Sequence, residues 1–143
     1  MTEQDFEILT FSDLAAGLSV TREMVWTTEH RDLFVRLTRD TAPVHLDSRF
    51  ARESGFEEPI LHGLLLASGF SEIVGCVLPG PRTIIQSVQF SFVSPAHAQE
   101  RLIYRVEVQQ LSAATKTVVL TASISRPSGE LIVRGRIQCG FLG

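Results

Sequence analysis

Asp40 and His45 stand five positions apart in the stretch RDTAPVHLD at 39–47, with Pro43 between them. A carboxyl and an imidazole can divide acid and base work on one small molecule, because an apolar setting raises the pKa of the first and lowers that of the second toward neutrality. On an unbroken helix the two could not cooperate, since residues five apart point roughly 140° away from each other at about 100° per residue. Pro43 lifts that restriction. It has no N–H to donate and biases Ala42 away from helical geometry, so the chain must turn between the two side chains. Convergence on one ligand then becomes available. So does a plainer arrangement, in which Asp40 ends a helix and His45 bonds a backbone carbonyl.

A second stretch with chemical content is EEPILHGLLLAS at 57–68. Gly63 falls where a long apolar helix begins, and the first N–H groups of a helix have no partner within it. Such an end carries partial positive charge and can hydrogen-bond a carbonyl oxygen that is becoming an enolate. A glycine there lets a substrate approach closely, and it serves equally well to start a helix under tight packing. His62 is open in the same way, as a structural hydrogen-bonder or as a contact to the ligand.

Elements must hold these residues in place. Thr28 caps a predicted helix whose inner stripe is His30, Leu33, Phe34 and Leu37, and Pro43 stops it from running on. Asp47 caps a short second helix that holds Phe50 and closes at Gly55. A third helix starts near Gly63 and runs through Leu64, Leu65, Leu66, Ala67, Phe70, Ile73, Val74 and Cys76; being apolar nearly all round, it is expected to be buried nearly all round. Leu18, Val20, Arg22, Met24 and Trp26 alternate as an early strand. From residue 84 the period is two again, through Val88, Phe90 and Phe92, then Leu102 to Val108, then Val118 to Ile124, with PSG at 127–129 turning the chain into a last strand over 131–141. Four consecutive strands with short connections predict an antiparallel meander, each strand with one dry face. A buried helix ahead of such a sheet predicts an α+β hotdog, a single domain over 1–143 with a curled antiparallel sheet around the helix.

Bulk properties agree with one folded domain: 143 residues, 44% apolar, 20% charged, net charge −3. Nothing in that balance favours a phosphate backbone, so no nucleic-acid partner is expected. The N-terminal MTEQDFEILTF lacks the basic, apolar and small-residue regions of a secretion signal. The longest apolar stretch is interrupted by His62, Ser68, Gly69, Ser71 and Glu72, which argues against a membrane span. Cys76 and Cys139 stand far apart and outside any CxxC spacing, and read as small hydrophobes in a reducing compartment, the cytoplasm.

The two chemical stretches together resemble the MaoC-like family of hotdog proteins, the (R)-specific enoyl-CoA hydratases and 3-hydroxyacyl thioester dehydratases. That family carries a GDxNPxH signature followed 15 to 20 residues later by GFxxPIxHGMLxAS; the counterparts here are RDTAPVH at 39–45 and GFEEPILHGLLLAS at 55–68. The resemblance implies a hydro-lyase that adds water reversibly across a trans-2-enoyl thioester of CoA or acyl carrier protein. It puts Asp40 and His45 at the catalytic positions, Gly63 at the thioester carbonyl, and Ser68 beside the pantetheine or acyl group, with His62 as a further contact. It implies a homodimer with the site at the subunit interface, and no metal or redox cofactor.

Two departures bear on activity. The family asparagine, which positions the water, corresponds to Ala42, whose methyl group neither donates nor accepts; losing such a bond costs on the order of 10²-fold in rate. Thr41 is the neighbour that could supply a hydroxyl instead. Arg39 replaces the family glycine and is read as a solvated cation at a helix C-terminus, or as a partner for a carboxylate or a carrier phosphate. SPAHA with Gln99 and Glu100 reads as a changed loop with His97 exposed. A thioesterase on the same fold, and an acyl-thioester-binding protein that lost turnover with the asparagine, are the alternative functions.

Overall fold

A computed structural model describes residues 7–143; the first six residues, part of the stretch read above for a leader, lie outside the described residues. Alternating apolar residues build the middle of the sheet. In β3 (Arg101–Ser112) Leu102, Tyr104, Val106 and Val108 are buried, and in β4 (Thr117–Ser125) Val118, Leu120, Ala122 and Ile124, while the residues between them are partly or fully exposed. β5 (Leu131–Phe141) sets Val133 and Ile137 opposite Ile124 and Leu120. β1 (Ser19–Val25) sets Val20 and Met24 opposite Val106 and Leu102. Each such side chain taken out of water contributes roughly 1.5–3 kcal/mol, so these strands hold most of the core's stabilisation.

The strand order is β1-β3-β4-β5-β2, antiparallel throughout. β3, β4 and β5 form the expected meander, but β2 (Thr83–Phe92) does not join it beside β3. It lies at the far edge and pairs with β5, Phe90 opposite Gly135. Alternation specifies which face of a strand is dry and is silent about its neighbour. Here the 93–100 connection, pinned where the Leu61 N–H donates to the Ala96 carbonyl (2.8 Å), carries the chain across and frees the other edge of β3 for β1.

The helical stretch 63–77 packs on the concave face. It consists of α3 (Gly63–Ser68), α4 (Phe70–Glu72) and a π-helical turn, Ile73–Val77. Leu65, Leu66, Phe70, Ile73 and Val74 are buried, but Leu64 is 70% exposed and Ser68, Ser71 and Glu72 face solvent. One sheet covers one side of a helix, so the expectation of burial all round fails on the other side. The helix crosses β3 very closely: a Cβ on Gly69 would lie 2.7 Å from the Tyr104 ring. The Tyr104 hydroxyl donates to the Leu66 carbonyl (2.7 Å) and accepts from Trp26 Nε1 (2.8 Å). Burial pushes this phenol's pKa well up, so it stays a protonated donor.

α1 (Thr28–Thr38) is capped by Thr27, one residue earlier than expected; its hydroxyl accepts from the His30 N–H (3.2 Å) and His30 Nδ1 accepts from the Thr27 N–H (3.0 Å). Of the expected inner stripe only Phe34 packs on the core, while His30, Leu33 and Leu37 are exposed. Asp47 caps α2 (Ser48–Glu53) as expected, accepting from the Phe50 N–H (2.9 Å), and the chain turns at Gly55 with φ +93°.

Candidate active site

The site begins where α1 ends. Arg39 takes a left-handed conformation (φ 63°) and closes the helix through its N–H to the Val35 carbonyl (2.7 Å), a geometry that suits glycine better than any residue with a Cβ. Its guanidinium forms no ion pair among the described residues. Asp40 follows, with Oδ1 accepting from the Ala42 N–H (3.1 Å) in a side-chain turn. Pro43 then opens a single 3-10 turn, Pro43–His45, as its fixed φ and missing donor allow. The chain has thus doubled back between the carboxyl and the imidazole, as the position of Pro43 predicts.

His45 Nδ1 lies 2.8 Å from the Ile60 carbonyl. A carbonyl only accepts, so Nδ1 carries the hydrogen and Nε2 is left to exchange a proton with a ligand. His62 packs directly behind, its ring stacked on His45 at 3.8 Å between centroids and 26° between planes, with Phe34 on the other side at 5.0 Å. Its Nε2 donates to the Asp40 carbonyl (3.1 Å) and lies 3.9 Å from Asp40 Oδ2. A carboxylate oxygen of Asp40 and one ring nitrogen from each histidine all fall within 4.8 Å of one another.

His62 is 2% exposed, and its Nδ1 has no hydrogen-bond partner. An orphaned buried acceptor costs about 1–3 kcal/mol. Burial holds this imidazole below its usual pKa, outweighing the bond to the Asp40 carbonyl that favours the charged form; the neighbouring His45 lowers it further. His62 is thereby kept neutral. Two histidines and a carboxylate are also a familiar metal-ligand set. Here His45 Nδ1 is occupied by Ile60, and stacked rings direct their in-plane lone pairs side by side instead of at one point. The arrangement suits proton exchange.

Beside His45 opens a cavity of about 350 Å³, walled by Phe56, Ile60, Leu66, Phe92 and Gly63. A Cβ on Gly63 would lie 2.9 Å from the Phe92 ring, so a side chain there would have to displace that half-exposed ring where the helix meets β2. As the first residue of α3, Gly63 presents an N–H with no intrahelical partner. Asp40 is half-exposed and stands outside this wall. Ser68 is not brought to it either; it lies on the exposed side of the helix, its hydroxyl donating to the Leu65 carbonyl (2.6 Å). Thr41 is exposed and its hydroxyl has no partner among the described residues.

Sequence reasoning missed Phe56 and the 93–96 segment as cavity walls, because a wall is made by distant segments meeting, and it reads Phe92 as a core residue first with contact to an acyl chain second, whereas Phe92 is half-exposed and walls the cavity. It also misplaced His97, which is partly buried, with Nδ1 donating to the Pro59 carbonyl (3.1 Å) near Glu58 (3.6 Å). Glu100 accepts from the His97 N–H (2.8 Å) and pairs with Arg126 (2.8 Å), fixing the loop that closes the cavity.

Residues 14–126 match the family model of the MaoC-like domain. The chain belongs to the MaoC-like family. A curated (R)-specific enoyl-CoA hydratase of Aeromonas caviae is 39% identical over 102 residues, covering 71% of this chain and 76% of that protein. A 3-hydroxybutyryl-CoA dehydratase of Methylorubrum extorquens is 29% identical over 121 residues, covering 85% and 77%. Among solved structures, the (R)-hydratase from A. caviae involved in PHA biosynthesis superposes with a TM-score of 0.84 at 33% identity, over 90% of this chain and 97% of that one. The five-stranded sheet curled on its helix is the hotdog fold of these MaoC-like hydratases.

Proposed function

We propose that this MaoC-like protein is a hydro-lyase that hydrates a 2-enoyl thioester, and dehydrates the (R)-3-hydroxyacyl thioester, of CoA or an acyl carrier protein. The observation that carries the reading is the meeting of an Asp40 carboxylate oxygen and a His45 ring nitrogen within 4.8 Å, beside an apolar cavity that also exposes Gly63. A water held by the pair gives its oxygen to Cβ of the enoyl group and its proton to the pair. The electron pair moves onto the thioester oxygen, where the Gly63 N–H stabilises it as an enolate, and collapses as Cα takes a proton from the pair. The pair starts and ends in the same protonation state, and either member can hold the proton in between. Names of the relatives, hydratases and a dehydratase of CoA thioesters, support this chemistry.

A homodimer completes this reading. β2 is an edge strand of ten residues, and Ile84, Val88 and Phe92 along it are each about half exposed. A long apolar edge is a template for pairing, and the same strand from a second copy pairs with it about a two-fold axis. A partner in that position covers Val88, Phe92 and the open mouth beside Gly63. A cytoplasmic setting suits the two free thiols, Cys76 half-buried and Cys139 buried. No helix among the described residues is long and apolar enough to cross a membrane.

Crotonyl-CoA and a longer enoyl-CoA test the reaction. Loss of enoyl absorbance without release of free thiol is the expected result. Thiol release would establish a thioesterase instead, and tight binding without turnover would establish the binding protein that Ala42 favours. Ala42→Asn is expected to raise kcat by up to about 10²-fold if the missing hydrogen bond limits the rate.

A further inference from the structure

We propose that His62 is a positioning residue, holding Asp40 in register with His45 through its Nε2–H bond to the Asp40 carbonyl and its stack on the His45 ring; this rests on the acid–base reading of that pair. The need for such an anchor is visible in the chain. Asp40 lies between a left-handed Arg39 and the Pro43 turn, outside any helix or strand. Its other hydrogen bonds are local: its N–H donates to Thr38 Oγ1 (3.3 Å) and its Oδ1 accepts from the Ala42 N–H (3.1 Å). Among the described residues, the bond from His62, 22 positions away in sequence, is the single long-range hydrogen bond that Asp40 receives.

The same short segment holds the other half of the pair. The Ile60 carbonyl fixes His45 Nδ1, His62 fixes Asp40, and Gly63 follows immediately with its unpaired N–H. Residues 60–63 therefore act as one template that registers the carboxyl, the imidazole and the donor for the thioester oxygen. Displacing any of them by about 1 Å would cost on the order of 10²-fold in rate.

Histidine suits this role for a stated reason. A phenylalanine would fill the space between Phe34 and His45 without leaving an orphaned atom, yet the chain keeps a ring whose Nδ1 has no partner. What His62 supplies and phenylalanine cannot is the Nε2–H donor. Neutrality matters as well, since a cation stacked 3.8 Å from His45 would oppose the imidazolium that His45 must be able to form.

The test separates donor from filler. His62→Phe keeps ring and volume and loses the donor; His62→Gln loses the ring and keeps an N–H at similar reach. With crotonyl-CoA, His62→Phe is expected to lower kcat roughly 10- to 100-fold while KM changes less than about threefold, and His62→Gln to recover about tenfold of that loss. Phenylalanine retaining wild-type kcat, or glutamine doing no better than phenylalanine, would overturn the proposal and leave His62 a packing residue. A second measurement reads the wild type without turnover: the ¹⁵N shifts of His62 at pH 7 are expected to show the neutral Nε2–H tautomer. The Nδ1–H tautomer, or a protonated ring, would overturn it too. Wild-type protein that shows this tautomer but never hydrates an enoyl thioester would refute the proposed reaction and not the anchoring of Asp40.

Discussion

β2 and β4 are written with the same alternation and end in opposite surroundings. Along β4, Val118, Leu120, Ala122 and Ile124 are all buried between the helix and the sheet. Along β2, Phe90 is the apolar residue that packs on the core, where it stacks on Phe70 (5.5 Å, 14°) and lies across the bare backbone of Gly135; Val88 and Phe92 on the same face are 52% and 49% exposed. Period-two patterning states that a face will be covered and leaves open by what. For β4 the cover is this chain's own helix. For β2 the helix reaches Phe90 and one edge of the Phe92 ring and leaves about half of Val88 and Phe92 uncovered, and Phe92 walls the cavity beside Gly63. The stable half of the molecule is thus complete in one copy, and the half that holds the cavity presents an apolar edge, the one proposed above for the dimer.

Substitutions on the two strands should therefore differ in kind. Val88→Lys puts a charge on the exposed strip; it is expected to turn a dimer into monomers by light scattering and lower kcat/KM by 10²-fold or more, while the monomer keeps its circular dichroism. A monomeric wild type would break the comparison outright. Leu120→Ala opens a hole in the complete half, and denaturant unfolding should show a loss of about 2–5 kcal/mol with the oligomeric state unchanged. The smallest effect belongs to the turn that carries Asp40. Arg39→Gly relieves a left-handed residue and is expected to add up to about 1 kcal/mol of stability with kcat unchanged within a factor of about two. A loss of stability would mean that the guanidinium makes contacts of its own.

Legibility in the sequence followed the range of the interaction. The break at Pro43, the cap at Asp47, the helix start at Gly63 and the dry faces of β3 and β4 are set within a few residues, and each was readable. The crossing of β2 to the far edge was not, because it depends on the Leu61–Ala96 bond between segments far apart in sequence. Gly69 and Gly135 look like helix and strand interruptions, and only the Tyr104 and Phe90 rings lying against them explain why a side chain is excluded. At the site, spacing brought Asp40 and His45 together, but nothing local showed that His62 would turn inward behind them or that Ser68 would face outward.

The central claim is that Asp40 and His45 work as one unit on an enoyl thioester, and a double-mutant comparison of kcat/KM with crotonyl-CoA tests it most directly. Asp40→Asn and His45→Ala should each lower kcat/KM by about 10²–10⁴-fold with the fold intact, and the double variant should fall little further than the worse single one. Near wild-type turnover in either single variant, or losses that multiply in the double variant, would contradict it.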